Sequence, residues 1–293
     1  MNHVIGWGVP LLIWFTVTLG ARSWMARFGW TTHRVADWGT AFLLGYTLFT
    51  VLVYFLALAG VRIGPPLLIG AAVAVLASGW FLARGGARHE PPPTRGKERW
   101  TPGELVLLTA LVVYSLLAAV NSIYLPVAAT DAHSYVGRSF FMLREGTLNV
   151  AIFNWPAIGI TGATNITYPP LHSLAFGVSP AFGGWQPKFI NGIFSLAYPL
   201  VVFGLLRQFF PRFASMFWTL LIAMTPEVFS HAGYALLNVP AMSLTTAEGF
   251  VLFHFVRRGG TRWLFLAGIF GMGAAGISSR TGLSTCSSGT SWI

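Results

Sequence analysis

The side chains best suited to proton transfer stand in a segment that begins at Thr130. One face of a helix would carry four polar residues at i, i+3, i+4 and i+7, namely Asp131, Ser134, Tyr135 and Arg138. Thr130 can cap that helix, and the free N–H groups of its first turn stabilise Asp131 as an anion. An ionised carboxylate can take a proton from a hydroxyl group, so Asp131 is a candidate general base. The alternative is that Asp131 only helps to start a surface helix.

The opposite face of this segment is apolar. Val136, Phe140 and Leu143 share it, and Glu145-Gly146 ends the helix. The pattern predicts an amphipathic helix that lies flat on the membrane with its polar side up.

A second segment with ionisable residues runs from residue 225 to residue 238. Glu227 and His231 are four residues apart, so a helix would bring both side chains to one face. Ionisable groups at membrane depth are costly and by default indicate function. The pair is weak evidence for a metal site, because no third ligand is evident at a suitable spacing.

The sequence Thr167-Tyr168-Pro169-Pro170-Leu171-His172 forms a rigid corner. Its two prolines fix φ and keep Tyr168 extended, and Pro170 suits the first position of a helix. Taken alone, the hexapeptide predicts a helix start and nothing more.

The elements that must position these side chains are membrane helices. The 293-residue chain is 55% hydrophobic and only 9% charged, with a mean hydropathy of +0.66, whereas soluble domains carry about 25% charged residues. We therefore predict an all-α, polytopic transmembrane protein with about eight or nine hydrophobic segments and one amphipathic helix. The apolar segments are 4–19, 40–58, 67–82, 105–124, 171–182, 189–206, 213–224, 239–256 and 264–277.

The net charge of +10 comes from basic residues in short gaps between apolar segments. Basic residues in this distribution hold the loops on the cytoplasmic side of a membrane. They do not form the continuous basic surface that binds a nucleic acid, so we expect no nucleic-acid partner. The clearest inside loop, 84–103, divides an N-terminal three-helix bundle (1–83) from a core at 104–283. The single cysteine, Cys286, excludes an internal disulfide.

Counting from that inside loop places the segments 125–168 and 225–238 outside. The turn with Arg207 and Arg212 then belongs inside, which conflicts with a full crossing by 171–182. Either 171–182 dips into the membrane and returns, which we favour, or the two-arginine turn is an exception.

These motifs, in this order, resemble those of the GT-C glycosyltransferases, multi-span enzymes that use polyprenyl-phosphate sugars, such as protein mannosyltransferases and aminoarabinose transferases. The resemblance covers about residues 105–283. It is carried by Asp131-Ala132, by Tyr168-Pro169-Pro170-Leu171, by Pro226 and by Asn238-Val239-Pro240.

The resemblance implies an inverting sugar transfer at the outer face of the plasma membrane, from a polyprenyl-phosphate-linked donor, with membrane lipids around it. Asp131 would act as base on the acceptor hydroxyl or help to order a divalent metal ion. Arg138 or Lys188 would bind the leaving phosphate. The other substrate-binding residues that we expect are His133, Tyr135, Tyr168, His172, His231 and Asn238.

Two features depart from the family pattern. Asn238 stands where members often have a second acidic residue, and since an amide cannot act as a base, Glu227 would have to take that catalytic role. The chain is also short and ends in an atypical polar tail at 284–293, so we expect a truncated or frame-shifted product, which can be inactive.

Two other functions stay open. A transporter or flippase of lipid-linked or small polar substrates would have ionisable groups near mid-membrane and related halves, but the sequence shows no internal repeat. A non-catalytic membrane subunit would not depend on Asp131.

Overall fold

The computed structural model describes residues 2–30, 34–84, 99–124, 130–148, 170–226, 228 and 237–277, without the side chains of 2–5, 34 and 130–134. These residues form helices and no strand. The helices are α1 (Asn2–Phe28), α2 (Arg34–Leu58), α3 (Pro65–Arg84), α4 (Pro102–Tyr124), α5 (Thr130–Glu145), α6 (Leu171–Ala181), α7 (Phe189–Leu206), α8 (Arg212–Ala223), α9 (Asn238–Arg258) and α10 (Thr261–Ala275). Each predicted apolar segment lies on a helix with at most two of its residues outside it, although α1 ends nine residues later and α2 begins six residues earlier than the segments on them. The all-α prediction is confirmed.

Among the described residues, six helices are long and apolar enough to cross a membrane: α1, α2, α3, α4, α7 and α9. Three other apolar helices, α6, α8 and α10, have 11, 12 and 15 residues. At about 1.5 Å per residue, an 11-residue helix measures only about 16 Å. The chain is a polytopic membrane protein in which some apolar helices are shorter than a bilayer.

Helix α2 lies at the centre of the bundle. It packs against α1 and α3, and also against α6, α7, α9 and α10. Its contact with α1 is close, because a Cβ at Gly45 would lie 2.6 Å from the carbonyl oxygen of Val17. One continuous hydrophobic core joins the first three helices to α5, α6, α7, α9 and α10. Their division into two domains at 84–103 stays a prediction.

The start of α4 is fixed by a capping box and an ion pair. The N–H of Thr101 donates to Oε2 of Glu104 at 2.9 Å, and the N–H of Glu104 donates to Oγ1 of Thr101 at 3.3 Å. Arg212, the first residue of α8, donates to both carboxylate oxygens of Glu104 at 2.8 and 2.6 Å. Helices α4 and α8 therefore begin at the same end of the bundle.

Most described arginines lie at that end, which we call the basic end. Arg262 donates to the carbonyl oxygen of Phe28 at 3.4 Å, and the rings of Phe209 and Phe253 are 4.7 Å apart. These contacts bring together the last turns of α1 and α9, the start of α10 and the α7–α8 turn. The arginines there are Arg27, Arg84, Arg99, Arg207, Arg212, Arg257, Arg258 and Arg262.

The opposite end, which we call the aromatic end, is marked by Trp7, Tyr124 and Trp185. The ring of Trp185, in the α6–α7 turn, lies 6.4 Å from Trp7 and 6.5 Å from Tyr124. Helix α4 thus ends near the start of α7, at the aromatic end. That segment 171–182 dips into the membrane and returns stays a prediction.

Candidate functional site

Three polar side chains from three helices meet inside the bundle. His172, in the first turn of α6, lies 2.8 Å from the hydroxyl of Tyr46 in α2 through Nδ1 and 2.9 Å from Oδ1 of Asn191 in α7 through Nε2. All three residues are fully buried. Phe176 and Phe194 cover the imidazole, with ring centroids 4.4 and 5.9 Å away.

The hydrogen bonds of this cluster fix its protonation state. Oδ1 of Asn191 can only accept, so Nε2 of His172 carries the proton and donates it. Complete burial disfavours a charged ring, so the imidazole is neutral and Nδ1 accepts from the hydroxyl of Tyr46. Because polar groups inside a membrane bundle need partners within the protein, these bonds fasten the first turn of α6 to α2 and α7.

The first turns of α6 and α7 lie side by side as a result. The first N–H groups of a helix have no acceptor within the helix and form the positive end of its dipole. Neither helix has an acidic residue in its first turn or a side-chain hydrogen bond at its N-cap. In α7 two of these N–H groups are already bonded, that of Phe189 to the carbonyl oxygen of Gln186 at 3.3 Å and that of Asn191 to the carbonyl oxygen of Lys188 at 2.9 Å. The start of α6 therefore contributes more than the start of α7 to an environment that favours an anionic group such as phosphate.

Lys188 adds a cation at the same place. It is the N-cap residue of α7, and its side chain is 2% exposed. Burial lowers the pKa of Lys188 from 10.5 to about 8, because the ammonium group loses its hydration. The group is still protonated at neutral pH, so it places a positive charge at the start of α7.

Two residues of the predicted polar face of helix α5 lie against the protein. Tyr135 and Arg138 are only 6% and 7% exposed. The prediction that the polar side of this helix is up is therefore wrong at these two positions. The reason is packing: α5 lies against α6, and Arg138 interacts with Tyr54 of α2. Burial lowers the pKa of Arg138.

The structure thus places four of the predicted substrate-binding residues inside the protein. His172 and Lys188 lie at the two helix starts, and Tyr135 and Arg138 lie on α5. Asn238, the first residue of α9, is exposed and does not join this cluster.

The remaining candidates fall outside the described side chains. Asp131 and His133 belong to α5, but only their backbone is described. Residues outside the description altogether are Tyr168, Glu227 and His231. Within the described ranges no three His, Cys, Asp or Glu side chains could hold a metal ion together, and the metal stays a prediction.

The sequence analysis missed Tyr46 and Asn191. Asn191 could have been predicted as a buried polar contact, because an amide within an apolar membrane segment needs a partner on a neighbouring helix. Tyr46 could not, since a tyrosine in an aromatic-rich segment can pack as an apolar ring.

No protein-family model matches this chain, and neither the curated proteins nor the solved structures include a match to it. Any function is therefore argued from the site and from the residues of this chain.

Proposed function

We propose that the chain is a membrane glycosyltransferase that moves a sugar from a polyprenyl-phosphate donor to an acceptor hydroxyl at the aromatic end. The observation that carries the proposal is the meeting of the α6 and α7 first turns beside the buried Lys188. The helix that bears Asp131, α5, packs against α6. A site that favours phosphate thus adjoins the helix with the candidate base.

The charge distribution supports placing this site at the outer face of the plasma membrane. Arginine and lysine near the ends of membrane helices keep those ends on the cytoplasmic side. Because the basic end carries most of the described arginines, the aromatic end is the one that faces outward under this rule.

Each residue then has a role in one displacement step. The acceptor oxygen attacks the anomeric carbon as the bond from that carbon to the phosphate oxygen breaks, which inverts the configuration. The carboxylate of Asp131 takes the hydroxyl proton. The phosphate leaves with the bonding electron pair, and Lys188, Arg138 and the first-turn N–H groups stabilise its charge.

The test is sugar transfer from a labelled polyprenyl-phosphate donor by the full chain and by two variants. Asp131→Asn should lower the rate by about 10²–10⁴-fold, the usual contribution of a general base. Glu145→Gln is the matched control, because it makes the same acid-to-amide change at an exposed site on the same helix, and its rate should stay unchanged. Equal rates for the wild type and Asp131→Asn would remove the mechanism.

A transporter or flippase of lipid-linked or small polar substrates is the second candidate, favoured by the short helices. Helix α6 begins at the buried His172, and α8 ends at Ala223, whose carbonyl oxygen accepts from Tyr114 near the middle of α4. Helices that stop within the membrane commonly form transport sites. Substrate flux into sealed vesicles without any new glycosidic product would favour this function over transfer.

A further inference from the structure

A cleft of about 450 Å³ opens at the aromatic end, apart from the buried cluster around His172. It lies between α5, the α2–α3 turn and the α6–α7 turn. Ligand pockets commonly measure about 300–1,000 Å³, so this cleft is large enough to hold a ligand. Side chains that form its walls include Pro65, Phe140, Leu143, Arg144, Ala181 and Trp185.

The walls are fixed by contacts within the protein. The N–H of Ile63 donates to the carbonyl oxygen of Gly146 at 2.9 Å, which ties the α2–α3 turn to the end of α5. Gly146 has a φ of +72°, and a Cβ there would collide with the side chain of Arg62, so a glycine is needed for this approach. On the other side, a Cβ at Gly184 would lie 2.6 Å from the carbonyl oxygen of Gly6, which seats the α6–α7 turn on α1.

The chemistry of the lining is amphiphilic. Apolar side chains and glycine backbone form most of it, and Arg144 is the one charged residue among the residues that line it. Arg62, packed against Gly146, brings a second cation close by. Phe140 and Trp185 are 45% and 56% exposed, an arrangement suited to contact with lipid at the membrane interface.

The depth of the cleft matches that of a lipid head group. Trp185 contacts Trp7 and Tyr124, and exposed Trp and Tyr rings at helix ends mark the boundary between hydrocarbon and water. The cleft therefore offers a cation at head-group level next to apolar walls.

We propose that this cleft binds one phospholipid with an anionic head group from the leaflet at the aromatic end. The guanidinium of Arg144 pairs with the head-group phosphate, and an acyl chain lies along Phe140 and Leu143. Charge complementarity selects this occupant, since the described residues that line the cleft include one basic side chain and no acidic one. The site goes beyond glycosyl transfer and does not depend on it.

The test uses the full chain in phosphatidylcholine nanodiscs that contain a small fraction of phosphatidylglycerol, with the retained lipids measured by native mass spectrometry. The wild type should retain phosphatidylglycerol in preference to phosphatidylcholine. Arg144→Gln should weaken that preference about tenfold, because it removes one charge-assisted hydrogen bond. Arg84→Gln makes the same change at an exposed site on the basic end and should leave the preference unchanged.

A second variant tests whether the lipid needs the open volume of the cleft. Ala181→Phe fills it and should abolish retention of phosphatidylglycerol, with an unchanged melting temperature as the check on folding. Equal retention of the two lipids by the wild type would overturn the proposal, and so would unchanged retention in both Arg144→Gln and Ala181→Phe. Glycerol 3-phosphate has no acyl chains. If millimolar glycerol 3-phosphate displaced the lipid, the cleft would be a site for soluble phosphate esters, and the proposal of a bound phospholipid would be overturned.

Discussion

The chain buries a histidine in each of two helix junctions, and the surroundings of the two rings differ. His172, at the start of α6, has both ring nitrogens within 3 Å of hydrogen-bond partners. His254, near the end of α9, is 1% exposed, and among the described residues neither of its nitrogens has a partner. Its ring stacks on that of Trp263 in α10, with centroids 4.9 Å apart and planes inclined by 18°.

This difference separates two ways of joining membrane helices. At His254 the imidazole acts as a flat aromatic surface between α9 and α10, and its buried nitrogens, which have no partner in the described part of the chain, cost free energy. At His172 the nitrogens make the connection between α2, α6 and α7. Hydrogen bonds at the aromatic end thus fix the first turn of α6 in place. At the basic end, α9 and α10 are joined by packing of the His254 and Trp263 rings.

The largest expected effect comes from breaking the first junction. His172→Phe removes the hydrogen-bond partner of the buried hydroxyl of Tyr46 and one partner of the buried amide oxygen of Asn191, at about 1–3 kcal/mol each. The free energy of unfolding should fall by about 2–6 kcal/mol, measured by denaturant titration in mixed micelles. Adding Tyr46→Phe should recover part of the loss, because it removes one of the orphaned groups. An unchanged stability in His172→Phe would show that the cluster does not hold α6.

A smaller effect should follow from the pH dependence of Lys188. Its pKa is about 8 in the folded chain and 10.5 in the unfolded one, so between these values the unfolded chain binds more protons. The contribution of Lys188 to stability therefore rises with pH across that window. In Lys188→Met this rise is absent, and the gap in melting temperature between variant and wild type should narrow from about pH 7 to about pH 10. Parallel melting curves would contradict the burial of a charged Lys188.

The smallest effect should come from the second junction. His254→Phe keeps a ring against Trp263 and removes two buried nitrogens that have no partner among the described residues, so stability should stay within about 1 kcal/mol of the wild type or increase. The same titration measures it. A loss as large as that in His172→Phe would erase the contrast between the two junctions.

The helices could be predicted from the sequence because long apolar runs have few other structures available in a membrane. Segment 189–206 coincides with α7, and the prolines before Leu171 set the start of α6 as expected. The basic residues in the short connections also predicted which helix ends lie together. These features depend on local composition, which the sequence shows directly.

The site was only partly predictable, because it depends on how helices far apart in sequence pack. Spacing placed Tyr135 and Arg138 on one face of α5, but it could not show that these two side chains are buried in the protein, where α5 packs on α6. Tyr46 and His172 are separated by 126 positions, and no pattern along the chain relates them. The helix starts of α6 and α7 meet only through these long-range contacts.

The most direct test of the central claim is sugar transfer by the full chain in proteoliposomes, with labelled polyprenyl-phosphate donor and acceptor supplied on the side of the aromatic end. The wild type should form glycosidic product. Lys188→Met should lower its yield by about 10²-fold or more, the usual effect of removing a group that stabilises charge in the transition state. Arg84→Gln, which also removes one positive charge, should leave the yield unchanged. No product from the wild type, or equal yields from the two variants, would contradict the account.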